Sequence, residues 1–191
     1  MSRGTLILVV GPSGAGKDSI IAGAAELLAG QSRLVFARRL ITRPVSGSGE
    51  NHIEISPAEF EELRRRRGFM LSWQAHGLGY GLPRCFTDAL DCGRCVVANV
   101  SRTVIDEARR DWAPVAVVAV TAAPAVLALR LAARGRESLG NIESRLGRAS
   151  AVTLHDADFL VDNNGELSTA VDRFAAILQS LIQGTPAAMR G

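Results

Sequence analysis

Residues Gly11 to Asp18 read G-P-S-G-A-G-K-D and follow a short, unbroken apolar run, Thr5 to Val10 (TLILVV). Such a run reads as a strand buried on both faces. The residues after the loop, Asp18 to Leu28, read as a helix. Strand, glycine-rich turn and helix in this order are the context in which G-x-x-x-x-G-K acts as a phosphate-binding loop. Glycines let backbone N–H groups converge on an anion, and the helix N-terminus adds a positive dipole. Gly11, Pro12, Ser13, Gly14, Ala15, Gly16, Lys17 and Asp18 are therefore read as an ATP-binding loop, with Lys17 at the β- and γ-phosphates.

The loop departs from the usual pattern at its last position. A Ser or Thr normally stands there and binds Mg²⁺, while an Asp closes a neighbouring strand. Here the last residue is Asp18, and the neighbouring strand ends at Asn99. One reading moves the metal carboxylate into the loop: Asp18 and Asn99 become the Mg²⁺ site, since Mg²⁺ takes oxygen ligands and often only one or two carboxylates. The other reading makes Asp18 a cap of the following helix.

The rest of the chain alternates strand and helix. Arg33 to Ile41 reads as one strand, and Thr42 to His52 as a loop. Ser56-Pro57-Ala58-Glu59 opens a helix to Arg67, with a Ser cap, Pro in the first turn and Glu three residues on. Phe69 to Trp73 reads as a strand and Gly77 to Pro83 (GLGYGLP) as a flexible loop. Cys95 to Val100 and Val115 to Val120 are buried strands, each followed by a helix, Thr103 to Asp111 and Ala125 to Arg134. A polar loop, Gly135 to Asn141, precedes a helix from Ile142 to Ser150. Asp158 to Asp162 is a last strand, and Glu166 to Gln183 a closing helix. The alternation predicts an α/β fold with a central parallel sheet flanked by helices. At 191 residues, one domain over 1–184 with a tail from 185 to 191 is expected.

Composition narrows the partners. Aromatic residues are only 5%, which argues against a base-stacking nucleic-acid platform. The net charge is +3, and Lys17 is the single lysine. The basic side is therefore arginine, whose planar fork suits phosphate oxygens. No apolar run reaches the roughly 18 residues of a membrane span. The three cysteines, Cys85, Cys92 and Cys95, make no zinc pattern, and the absence of a leader predicts a cytoplasmic protein.

Beyond the loop, the blocks Thr42-Arg43-Pro44 with Gly49-Glu50, Trp73 with Tyr80-Gly81, and Arg134-Gly135-Arg136-Glu137-Ser138 with Arg145 run in order. With the loop, they resemble the guanylate kinase family over roughly residues 4 to 180. The resemblance implies a nucleoside-monophosphate-kinase-like fold with an acceptor-binding segment (about 42–85) and a lid (134–148). It carries Arg43, Glu50, His52, Tyr80, Ser101 and Arg136 over as acceptor-binding residues. It makes Lys17, Arg134 and Arg145 catalytic.

Two departures concern the acceptor. That family's guanine-reading Glu, before the Trp, is Ser72 here, and its guanine-reading Asp aligns with Ser101. Hydroxyls cannot replace a buried carboxylate pair without losing most discrimination. The loop ending in Asp18, the stretch Ile41 to His52 and R-G-R-E-S together resemble one guanylate-kinase-like family, the ribose 1,5-bisphosphate phosphokinases. That resemblance implies ATP as donor, a small phosphorylated sugar as acceptor and 5-phosphoribosyl 1-diphosphate as product. A nucleoside monophosphate kinase is the alternative, and a non-catalytic interaction module a third reading.

Overall fold

The computed structural model describes residues 3–44, 52–133 and 156–184. Its centre is a five-stranded parallel sheet. Strand β1 (Leu6–Val10) lies between β7 (Cys95–Asn99) and β8 (Val115–Thr121). β2 (Leu34–Phe36) flanks β7, and β9 (Phe159–Asp162) flanks β8. Register is fixed by pairs such as Leu8↔Ala98 and Leu8↔Val117.

The three central strands β1, β7 and β8 are buried on both faces, which is why they are near-continuous apolar runs. Ile7 and Val9 point to one face with Val97, Val118 and Val120. There α1 (Lys17–Leu27) and the closing helix α6 (Leu167–Gln183) cover them, with Phe174 and Leu178 fully buried. Leu6, Leu8 and Val10 point to the other face, with Val96, Ala98, Val117 and Ala119. Trp112, at the end of α4 (Ile105–Asp111), joins that cluster and donates its indole N–H to the Met70 carbonyl at 3.0 Å. The remaining helices are α3 (Thr87–Asp91) and α5 (Pro124–Ala133).

A second sheet was not foreseen from sequence. Its order is β4 (His52–Glu54), β3 (Arg39–Ile41), β6 (Leu78–Pro83), β5 (Phe69–Ala75). Three expectations change with it. Arg33 to Ile41 is two strands, not one: Ala37 closes the β2–β7 ladder through its N–H to the Val97 carbonyl, and the chain then crosses to the second sheet. Gly77 to Pro83 is a strand rather than a flexible loop. It pairs with β5 through a two-residue turn, His76-Gly77, both at positive φ as a hairpin turn of this length prefers. Its glycines make room for rings: a Cβ on Gly81 would lie 2.2 Å from Phe69, and one on Gly79 3.0 Å from Phe60. Finally, His52 opens a strand rather than ending a loop.

Helix α2 (Pro57–Arg65) begins as the sequence predicts. Ser56 accepts from the Glu59 N–H at 3.2 Å, and the Glu59 carboxylate accepts from the Ser56 N–H at 2.7 Å. These bonds hold the Glu59 carboxyl below its usual range. The expected lid, its helix from Ile142 to Ser150 and the tail lie outside the described residues.

Candidate active site

The glycine-rich loop spans the gap between β1 and α1, at the carboxyl end of the parallel sheet, where open α/β sheets bind ligands. Its shape depends on glycine. Gly16 sits at φ 87°, and a Cβ there would come within 2.4 Å of Asn163 Nδ2. Lys17 folds back, its ammonium donating to the Gly11 and Pro12 carbonyls at 2.8 Å each. Asn163, just past β9, donates to the Ala15 carbonyl at 2.8 Å and ties the last strand to the loop.

Asp18 does not cap the helix. The N-cap is Gly16, with no side-chain capping bond. Instead, Asp18 Oδ1 accepts from Asn99 Nδ2 at 2.6 Å and from Arg39 Nη2 at 3.2 Å. Asp18 and Asn99, 81 residues apart, therefore meet as the sequence expectation requires. A carboxylate beside an amide oxygen is a hard-oxygen donor set of the kind Mg²⁺ accepts, so the residues fit that ion. Among the described residues no group of three or more His, Cys, Asp or Glu could hold a metal. The nucleotide's phosphates would complete such a site.

Arg39 was missed at the sequence level. It lies on β3, with only 11% of its side chain exposed. Burial lowers its pKa, Asp18 and Tyr80 raise it, and Arg43 lowers it. Arginine keeps its charge through such shifts. Two other residues escaped notice. Asn163 Oδ1 and Arg130 Nη1 are buried polar atoms without a hydrogen-bond partner among the described residues. Both flank Gly16: the Cβ position there is 3.7 Å from Asn163 Cγ and 3.9 Å from Arg130 Nη1. A sequence signal existed for each. Asn163 follows the end of a parallel strand, and Arg130 stands four residues before Arg134 in the sequence.

The residues expected to bind the acceptor divide. Tyr80 stacks on Trp73, ring centroids 5.5 Å apart and 6° from parallel. Tyr80 pairs with Ile41 across β6 and β3, so these two side chains share a face with Arg39, two residues before Ile41. Ser72 pairs with Gly81 and so alternates to the opposite face. There it lines a groove with Arg64, Arg67, Arg84, Glu107, Asp111 and Trp112. Ser101 accepts from the Thr103 N–H at 3.3 Å and caps the short turn Arg102–Val104. His52 is 1% exposed, and its Nε2 donates to the Arg43 carbonyl at 3.2 Å. It braces the Arg43 backbone rather than opening to solvent. Arg43 is half-buried at the end of the β3 segment. Glu50, Arg134, Arg136 and Arg145 lie outside the described residues.

No family model matches the chain. A ribose 1,5-bisphosphate phosphokinase PhnN from Acidiphilium cryptum is 49% identical over 175 residues, 92% of each chain. The chain belongs to the ribose 1,5-bisphosphate phosphokinase family. A second phosphokinase of this name, from Rhodopseudomonas palustris, is 48% identical over 85% of this chain and 82% of its own. The family unit also occurs joined to other sequence. A bifunctional ribose 1,5-bisphosphokinase-thymidine phosphorylase from Cupriavidus necator is 47% identical over 94% of this chain, which spans 30% of that protein. Among solved structures, guanylate kinase from Anaplasma phagocytophilum superposes with a TM-score of 0.69 at 17% identity, covering 94% of this chain and 86% of its own. The fold of this phosphokinase family member is thus guanylate-kinase-like. No helix among its described residues is long and apolar enough to cross a membrane.

Proposed function

We propose that the chain is an ATP-dependent phosphotransferase acting on ribose 1,5-bisphosphate, with 5-phosphoribosyl 1-diphosphate as product, serving phosphonate breakdown. The observation that carries this is the 49% identity over nine tenths of both chains to a ribose 1,5-bisphosphate phosphokinase. The site's chemistry agrees. A phosphate-monoester acceptor has its second pKa near 6, so it is largely a dianion at neutral pH and needs no catalytic base. The barrier to overcome is repulsion between two anions, which calls for preorganised cations.

The phosphate loop holds the donor's β-phosphate through backbone N–H groups, and Lys17 offsets charge at the transferring group. An oxygen of the acceptor's 1-phosphate forms a bond to the γ-phosphorus as the bond to the β–γ bridging oxygen breaks. ADP leaves with that electron pair. Asp18 and Asn99 would hold Mg²⁺, which supplies charge neutralisation on the donor phosphates when bound. Arg43 and Tyr80 orient the acceptor phosphate from the second sheet, with Glu50 and Arg136 as further acceptor residues. Arg130, beside Gly16, together with Arg134 and Arg145, neutralises the phosphoryl group in flight.

A coupled ADP-release assay with ATP and each of ribose 1,5-bisphosphate, GMP and AMP tests the reading. Turnover should be efficient with the bisphosphate and poor with GMP, since a hydroxyl, Ser101, stands where guanylate kinases carry a guanine-reading carboxylate. Equal efficiency with GMP would overturn the specificity. No turnover with any acceptor would overturn the kinase reading.

A further inference from the structure

His52 is a buried titratable residue with no part in the proposed chemistry. It opens β4 and is 1% exposed, so its ring meets protein rather than solvent. Nε2 lies 3.2 Å from the Arg43 carbonyl. A carbonyl only accepts, so the proton of the neutral ring sits on Nε2 and leaves Nδ1 as an acceptor. Nδ1 is buried and has no hydrogen-bond partner among the described residues. A second proton there would meet no acceptor. An unpaired buried nitrogen is a cost that an apolar side chain of similar size would avoid. The imidazole is therefore explained by what Nε2 does.

What Nε2 does is extend the hold on β3 past its last ladder pair. β3 pairs with β4 from Arg39 to Ile41, and the Ile55 N–H donates to the Ile41 carbonyl at the end of that ladder. Thr42 is held from the other side, by β6: its N–H donates to the Gly79 carbonyl at 3.0 Å, and its Oγ1 accepts from the Gly79 N–H at 2.9 Å. His52 takes the next carbonyl along, that of Arg43. Pro44 follows, and a residue before proline is confined to extended backbone. One bond to the Arg43 carbonyl then fixes the direction of that peptide. At the near end, Arg38 Nη2 donates to the His52 carbonyl at 3.0 Å. Residues 38 to 43 thus close an arc around a single histidine.

We infer that His52 is a positioning residue: its neutral imidazole, through the Nε2–H, fixes the Arg43 backbone and so aims the Arg43 guanidinium at the acceptor's phosphate. The inference rests on the proposed function, in which Arg43 orients that phosphate. His52 touches neither substrate and moves no proton. The hold acts on the backbone and adds to whatever the Arg43 side chain itself meets. Its effect falls on the acceptor, because the donor's loop is tied elsewhere, by Asn163 at the Ala15 carbonyl.

Steady-state kinetics in ribose 1,5-bisphosphate and in ATP test this, with thermal melts as the check on folding. Glutamine places an N–H close to where Nε2 stands, asparagine reaches only as far as Nδ1, and leucine offers no donor. His52→Leu and His52→Asn should raise the KM for ribose 1,5-bisphosphate about five- to tenfold, the scale of one lost hydrogen bond. The KM for ATP should stay within about twofold, as for a separated site. His52→Gln should restore the acceptor KM to within about twofold of the parent. In an Arg43→Met background, His52→Leu should add no further loss, since it acts through Arg43. Equal KM changes for both substrates, a glutamine variant no better than asparagine, or losses that multiply in the double variant would overturn the inference. Should His52→Leu fail to fold, glutamine against asparagine decides alone. Nitrogen NMR of the parent gives a direct reading: the His52 ring should carry its proton on Nε2 at neutral pH, and a ring protonated on Nδ1 instead would overturn the inference. A parent chain that turns over no ribose 1,5-bisphosphate with ATP refutes the proposed function itself, and this inference falls with it.

Discussion

Asp18→Asn isolates the least usual residue of the site. Asparagine keeps an oxygen for the Asn99 amide but removes the charge that faces Arg39. In the parent, Oδ1 takes both bonds, at 2.6 and 3.2 Å. The Asp18 and Arg39 side chains are 29% and 11% exposed. Breaking a fully buried pair costs about 3–5 kcal/mol, and an exposed one about 0–1. This pair lies between, so a loss of about 1–2 kcal/mol is expected. For a chain of this length each kcal/mol moves the melting midpoint by about 2–4 °C, so a fall of about 2–8 °C follows. A ligand-free thermal melt measures it. The same variant should need about tenfold more Mg²⁺ for half-maximal activity, the scale on which residues around a metal act. Excess Mg²⁺ should restore part of the rate. Moving the carboxylate, with Asp18→Ser and Asn99→Asp together, should recover the Mg²⁺ response that Asp18→Ser alone loses. An unchanged melt together with an unchanged Mg²⁺ curve in Asp18→Asn would refute both the ion pair and the metal role.

Three further outcomes can be checked. Lys17→Ala should abolish turnover with the melting curve preserved, since a lost cation at the transferring phosphoryl group is worth several kcal/mol of barrier; near-normal turnover would remove the phosphate-loop mechanism. Arg134→Ala and Arg145→Ala should each lower kcat more than they raise KM, by about 10³-fold if they act as arginine fingers in cis; steady-state kinetics in ATP decide. Gly16→Ala should weaken ATP binding by about tenfold or more, because its Cβ would lie 2.4 Å from Asn163 Nδ2 at a backbone angle of φ 87°; equilibrium titration with a fluorescent ATP analogue is the measurement.

The parallel sheet was legible because its strands are buried on both faces and carry no polar interruption, as in Leu6–Val10 and Val115–Thr121. The turn between β1 and α1 was legible because its glycines encode a backbone shape directly, with Gly11, Gly14 and Gly16 at positive φ. The second sheet was hidden by composition. Gly79 and Gly81 look like a loop, yet they are glycine because Phe60 and Phe69 fill the space a side chain would take. Arg39 was hidden by topology. Its significance comes from Asp18, 21 residues earlier in sequence and in the first turn of α1, and no local pattern announces such a pair. His52 was expected among the acceptor residues; its ring is buried, with Nε2 against the Arg43 carbonyl, a contact between residues nine positions apart that no local pattern announces.

The bond from Asn163 to the Ala15 carbonyl joins residues 148 positions apart. The sheet has the same character, since β1 finds its two neighbours in β7 and β8 rather than in β2. Contacts of such long sequence separation form late, because loop closure precedes any gain from pairing. During synthesis, then, the loop emerges among the first residues but is completed among the last. A nascent chain that already displays G-P-S-G-A-G-K-D has no finished nucleotide site until β9 docks. If the loop binds ATP as proposed, competence to bind it would report that nearly the whole chain has folded, and a pulse of ATP analogue during refolding should be captured only after the final strand is in place.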